Sequence, residues 1–185
     1  MAAKRPKLII PPEKFDKILE VAAVVLLFVL WVYTFAVWSV LPETIPVHFN
    51  VKGQADGFGD RITIFFGPLL SLVLYFLLTV LNRRPDIFNY PVKITPENAQ
   101  FHYRLAMRLM RMLKLSLVLM FGVITWSMAH AARTGDSRII SLSLPFVLAI
   151  TFLPMVYYFT KIIRDNPKSA PTTQTKTKPR KFKLY

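Results

Sequence analysis

Four apolar blocks divide the sequence, near residues 18–40, 62–81, 115–132 and 139–163, with polar and proline-rich connections between them. A bilayer hydrocarbon core about 30 Å thick takes about 20 apolar residues per helix, and all four blocks come to that length. Ionisable residues stay at their margins: Glu20 lies one turn inside the first boundary and Lys161 one turn inside the last, from which side chains reach the headgroups. Pro68, Pro145 and Pro154 fall within the blocks. Neighbouring helices can satisfy the carbonyls that a membrane proline frees, so these residues fit a membrane bundle better than a soluble one. The expected architecture is all-α: a four-helix transmembrane bundle with a basic lead (1–17), a membrane domain (18–163) and a basic, low-hydrophobicity tail (164–185) read as disordered.

Composition agrees, with 54% hydrophobic and 18% charged residues over 185 positions. That is more apolar surface than a soluble domain of this size usually hides. The net charge of +14 is distributed by loop. Lys and Arg number five before the first span, two in the first loop, seven across 83–114, two in the third loop and eight from Lys161 onward. The positive-inside rule then puts both termini and the middle loop in the cytoplasm. The basic excess reads as a topology and lipid signal, with anionic lipids at the cytoplasmic face as partners and no nucleic acid, because no folded basic reader with an aromatic or glycine signature accompanies it. With no cysteine, thiolate metal sites and disulfides are excluded. The first block is longer than a signal-peptide core and is read as an uncleaved span.

The connection 83–114 has two parts. Pro85 and Pro91 keep its first half from being a continuous helix, and Thr95, Pro96 and Glu97 then supply a helix start. Beyond it Arg104, Arg108, Arg111 and Lys114 recur every three or four residues and share one face. This reads as a lipid-facing basic stripe on an amphipathic interfacial helix that bends into the third span. As a single rod, residues 96–132 would be about 55 Å long, so part of it must lie in or beyond the headgroups.

Residues 41–61, LPETIPVHFNVKGQADGFGDR, form the longest connection expected outside. Ile45, Val47, Phe49 and Val51 alternate with Pro46, His48, Asn50 and Lys52, which predicts a short strand with one apolar face. Lys52-Gly53 and Asp56-Gly57 are turn signals and Gly59 adds a flexible point. The expected product is an extended, β-like flap over the bundle mouth. His48, Asn50, Gly53, Asp56, Gly57, Gly59 and Arg61 are its candidate ligand-binding or structural residues. On the structural alternative, Asp56 caps its own turn and pairs with Arg61. One histidine with scattered acids does not define a metal sphere, Gly57–Gly59 lacks the surroundings of a phosphate loop, and the loop holds no serine nucleophile. No catalytic residue, cofactor or metal is therefore expected, and the chain is not read as an enzyme. His130, at the outer end of the third span, is read as solvated, with a height that would also let it face His48; His102 is read as cytoplasmic and close to the basic stripe.

The motif at Leu41, Pro42, Ile45, Pro46, His48, Asn50, Gly53, Asp56 and Gly59, with Arg61 in a basic place, resembles the signature of a small bacterial membrane domain of unknown function (DUF1648). The stretch NYPVKITPENAQFHYRLAMRLM is similar to that family's second shared segment. The same domain forms the front of SdpI-type immunity proteins, which protect toxin-producing cells from a secreted membrane-active peptide. The resemblance implies a multi-pass protein of the bacterial inner membrane, with immunity or toxin sensing as its specific role; those proteins carry a further membrane segment. Three functions follow as expectations: recognition of a peptide, lipid or small ligand at the outer loop; an accessory role in a larger membrane protein complex; and, third, an oligomeric transporter or channel, for which no ionisable residue stands at the midplane of any block.

Overall fold

A computed structural model describes residues 5–165 except residue 51, so the tail beyond Asp165 lies outside the described residues. Its elements are α1 (Lys14–Trp38), a hairpin of β1 (Thr44–Phe49) and β2 (Ala55–Asp60), α2 (Phe66–Leu81), α3 (Ala99–Thr134) and α4 (Arg138–Asp165). Short 3-10 turns at Arg61–Phe65 and Pro85–Ile87 flank α2. Four segments among the described residues are long and apolar enough to cross a membrane: α1, α2 together with the 3-10 turn before it (Arg61–Leu81), α3 and α4.

The helices are arranged around α3, the one element among the described residues that packs extensively against each of the others. Its buried positions include Ser116, Thr125, Ser127, Ala129 and Ala131, small side chains that let neighbouring backbones approach. On α1 the buried residues are Asp16, Leu19, Ala23, Leu27, Leu30, Thr34 and Val37, steps of three and four that draw one stripe along the helix. The rest of α1 is as apolar as the stripe, with Val21, Val25, Phe28, Val32 and Phe35 all exposed. A helix that is hydrophobic all round yet buried along one stripe has hydrocarbon as its solvent on the other faces.

The third helix runs unbroken for 36 residues, about 54 Å at 1.5 Å per residue. The expected bend between an interfacial helix and the third span is absent; the two are one rod, which starts at Ala99, after a turn at 95–98, rather than at Thr95. Asn98 closes that turn, accepting from the Thr95 N–H at 2.8 Å and donating to the Lys93 carbonyl at 3.0 Å. At the other end Gly135, at φ +74°, caps the helix in the left-handed conformation that glycine adopts without penalty.

Pro154 removes the N–H that would bond the Ile150 carbonyl inside α4. The Ser116 hydroxyl of α3 lies 2.9 Å from that carbonyl and 2.9 Å from the Met112 carbonyl of its own helix, so a neighbouring helix offers the missing donor, shared between the two. Ser116→Ala is expected to cost about 1 kcal/mol of bundle stability by orphaning a carbonyl in hydrocarbon. Ser116→Ala in a Pro154→Ala background should cost clearly less, a difference that a double-mutant cycle in detergent unfolding would measure.

At the basic end, the lead expected to be irregular has no regular structure over 5–13 but is anchored. Arg5 donates to the carbonyls of Phe88 (2.6 Å) and Asp86 (3.2 Å), and Tyr103 Oη donates to the Pro6 carbonyl at 3.0 Å. Beneath this, Leu105, Ala106, Tyr158 and Ile162 form a core with Phe88, Tyr90 and Val92 from the middle connection. Burial pushes the Tyr90 hydroxyl far above its ordinary pKa, so it stays a neutral donor to the Pro85 carbonyl.

Candidate functional site

The loop between α1 and α2 is a true antiparallel hairpin, where the sequence pattern predicts one strand followed by two turns. The chain reverses between Asn50 and Gln54, whose backbones are hydrogen-bonded at 2.9 Å. Asn50 Oδ1 accepts from the N–H groups of Lys52 (2.9 Å) and Gln54 (3.1 Å), and Gly53 takes φ +74°. Asp56-Gly57 therefore lies inside β2 instead of forming a turn, with Gly57 paired to His48. A Cβ on Gly57 would come within 2.8 Å of the His48 Cβ, so glycine lets the strands close at this pair. Gly59 faces Val47 with similar tightness, its built Cβ 3.2 Å from that side chain.

The alternation expected along β1 is interrupted. Register irregularities between Pro46 and His48 and between His48 and Phe49 re-aim the side chains, so Ile45 and Pro46 are both buried while Val47 is exposed. Ile45, fully buried, joins Val37, Leu41, Ile64 and Ala129 in a core that clamps the hairpin to α1 and α3. Its tip meets the start of α4, where the Ser141 hydroxyl donates to the Lys52 carbonyl at 3.1 Å. A side chain on Gly53 would overlap Ser141.

Most polar candidates thus have structural work. Asp60 accepts from the Ile62 N–H at 2.7 Å and starts the turn into α2. Arg61 donates to the Leu41 carbonyl at 3.4 Å and lies 5.1 Å from the Trp38 ring centre. The Asp56–Arg61 pair of the structural alternative does not form; Asp56 accepts from His48 Nδ1 at 2.5 Å. This His48–Asp56 pair is the exception to the structural pattern, since the two side chains keep 72% and 43% of their surface exposed and hold no turn or cap. Beside the hairpin, Val47, Ile62, Phe66, Phe121, Ile124 and Met128 border an apolar cavity of about 610 Å³. His130 lies against Trp126, ring centres 5.7 Å apart, and His102 is a buried core residue among Tyr90 and Phe101.

The basic stripe requires a larger correction. Arg104, Arg108, Arg111 and Lys114 do share a face, but that face turns onto the acidic residues of α1 and its lead, burying Arg111 and Lys114 and leaving Arg104 and Arg108 part of their surface. Arg104 and Arg108 pair with Glu13; Arg108 (3.0 Å) and Arg111 (3.5 Å) pair with Asp16; Arg111 (3.3 Å) and Lys114 (2.5 Å) pair with Glu20. Arg111 and Lys114 are buried, and Lys114 also reaches Thr79 Oγ1 at 3.1 Å and the Tyr75 ring at 4.9 Å on α2. Exposing four cations to headgroups would leave Asp16 buried without a counter-charge; pairing satisfies both helices. The missed signal was the spacing of Glu13, Asp16 and Glu20, which repeats every three or four residues like its basic partner. Lys114 lies 20 residues, about 30 Å, from the hairpin end of α3, which places this ladder at the far edge of a hydrocarbon core.

Outside the helices, hydrogen bonds from Arg138 hold the Asp136 carboxyl down to about 2, and those from Arg84 hold the Asp86 carboxyl below the usual range. Both are local, exposed pairs that order their own turns.

Residues 25–72 match the model of a family described as a domain of unknown function (DUF1648). That window holds most of α1, the whole hairpin and the first part of α2, so the matched unit is the hairpin and the two helices carrying it. The second stretch that the sequence resemblance drew on, residues 89–110, lies outside it. An uncharacterized protein of Archaeoglobus fulgidus is 26% identical over 148 residues, spanning 72% of this chain and 81% of its own length. That relative is archaeal, whereas the resemblance implies a bacterial setting. No solved structure matches the chain.

Proposed function

We propose that this is a non-catalytic multi-pass membrane protein that recognises a membrane-active amphiphile, such as a peptide, at its hairpin end. In this role it confers tolerance to that molecule or senses it. The carrying observation is the His48–Asp56 pair, exposed on a hairpin whose Asn50, Asp60 and Arg61 side chains are engaged in folding. On the same hairpin, Val47 borders an apolar cavity of about 610 Å³. A polar pair on a clamped platform beside an apolar recess suits a ligand with one charged and one greasy side. The positive-inside distribution supports an orientation with this end outside the cell, where a secreted amphiphile arrives.

Exposed ion pairs contribute about 0–1 kcal/mol, so removing this one should leave the fold intact. In cells challenged with membrane-active peptides, His48→Ala/Asp56→Ala is expected to reduce tolerance to that of cells lacking the protein. Its thermal unfolding in detergent should stay within about 1 kcal/mol of the unsubstituted chain. Undiminished tolerance in the double variant would overturn the reading.

A second reading, an accessory subunit of a larger membrane complex, is favoured by α4. It packs on α3, while Phe146, Phe152, Leu153, Val156 and Ile163 stay exposed. Native mass spectrometry from mild detergent separates the readings: a lone chain counts against the subunit, and a stoichiometric protein partner supports it.

A further inference from the structure

We infer that the groove between α3 and α4 is a binding site for one anionic phospholipid, drawn from the leaflet at the basic end of the bundle. The site is separate from the hairpin and does not depend on the function proposed there.

The groove has a polar head and an apolar body on one continuous line. Its head is a cavity of about 360 Å³ lined by Glu97, Gln100, Phe101, Arg104, Arg108 and Lys161 among others. Its body, about 410 Å³, is lined by Leu19, Leu115, Leu119, Ile150, Leu153 and Tyr157 among others. On α3 the lining residues Arg104, Arg108, Met112, Leu115 and Leu119 follow one another at steps of four, four, three and four, a single helical ridge. On α4, Lys161, Tyr157, Pro154 and Ile150 do the same at four, three and four. Tyr157 joins the two parts, because the Lys161 ammonium at the head lies 5.7 Å from the centre of its ring in the body.

Depth matches the same occupant. Leu115 stands about 29 Å from the hairpin end of α3, within a hydrocarbon core, whereas Arg104 stands about 45 Å from it, beyond the core and in or past the headgroup layer. An acyl chain alone has no use for the cations, and a soluble anion has none for the apolar body.

Donors remain to be used at the head. Lys161 has one acidic neighbour, Asp165, at 3.6 Å, longer than a hydrogen bond. Arg104 pairs with Glu13 through one terminal nitrogen, and its Nε is buried with no partner. Arg108 commits Nε and one terminal nitrogen to Glu13 and Asp16, leaving the second terminal nitrogen. Three cations and one acid, Glu97, line the cavity, while Glu13, Asp16 and Asp165 pair with those cations from outside its lining. A phosphodiester between Arg104 and Lys161 would take up these donors as charge-assisted hydrogen bonds.

The test uses the full chain in mixed micelles, with native mass spectrometry reading competition between phosphatidylglycerol and phosphatidylcholine of identical acyl chains. The unsubstituted protein is expected to retain one phosphatidylglycerol with a preference of about tenfold. Arg104→Gln/Lys161→Gln should bring that preference to within about twofold, while leaving all basic residues beyond Lys161 in place. Lys161→Gln alone should weaken it several-fold, which covers the case of a poorly folded double variant. Leu153→Trp, which fills the body and changes no charge, should lower phosphatidylglycerol occupancy as well. Equal retention of both lipids would overturn the inference. So would a preference untouched by the glutamine variants, which would assign it to the basic tail, or displacement of the lipid by glycerol phosphate at matched concentration, which would make this a site for soluble anions.

Discussion

Glu20→Ala is expected to destabilise the bundle by about 3–5 kcal/mol, and Glu20→Ala combined with Lys114→Met to recover most of that loss. Lys114 is only 1% exposed, its ammonium 2.5 Å from Glu20 where α1, α2 and α3 meet. Removing the carboxylate leaves a buried ammonium with only Thr79 Oγ1 and the Tyr75 ring for company. It also takes from Arg111 one of its two acidic neighbours. Neither partner replaces a counter-ion in a low-dielectric setting. The double variant fills the same space with apolar atoms, and exchanging a buried pair for hydrophobic volume is often neutral. Lys114→Met alone should cost less than Glu20→Ala, because Glu20 keeps 32% of its side-chain surface and retains Arg111. Unfolding titrations in mixed micelles would read all three. A loss below about 1 kcal/mol for Glu20→Ala would mean that the pair behaves as an exposed one and that apolar packing alone sets the helix spacing.

The same ladder shows where sequence reasoning reached its limit. Apolar block length located all four helices, because hydrocarbon thickness is a one-dimensional constraint and every helix must meet it. Which face of a helix meets which neighbour is a two-body question. The stripe at Arg104, Arg108, Arg111 and Lys114 was legible as a face, but its partner became visible only with Glu13, Asp16 and Glu20 placed alongside it. The expected bend followed from reading the basic stripe as an interfacial face; with that face paired to α1, α3 runs straight through and its first turns project beyond a hydrocarbon core.

At the candidate site the balance is similar. His48, Asn50, Gly53, Asp56, Gly57, Gly59 and Arg61 were all legible as a constellation, and the structure gathers them in one hairpin. Their division of labour was not. Asp56-Gly57 has the composition of a turn, yet the Asn50 side chain closes the chain earlier, and the following residues are drawn into a second strand. A turn dipeptide states a local preference, and a stronger reversal six residues upstream overrode it. Only with those assignments made does His48–Asp56 stand apart as the pair without a folding task.

Ile45→Ala is expected to release the hairpin while leaving the helices assembled, raising amide exchange across β1 and β2 by about a hundredfold. An isolated two-stranded hairpin is marginal in water, so this one depends on what clamps it. Ile45 is 0% exposed and is the hairpin's own contribution to the core formed with Val37, Leu41, Ile64 and Ala129. Truncating a buried isoleucine costs about 2–5 kcal/mol, and a loss of about 2.7 kcal/mol in local opening free energy corresponds to that hundredfold change. The helices keep their own contacts along α3, so exchange in α1 and α3 below the hairpin should stay unchanged. The result bears directly on recognition. If the pair works because it is held rigidly beside the apolar cavity, Ile45→Ala should abolish tolerance with His48 and Asp56 both present, matching the double alanine variant. Full tolerance with a freely exchanging hairpin would separate the function from the platform and leave the two side chains acting on a mobile loop.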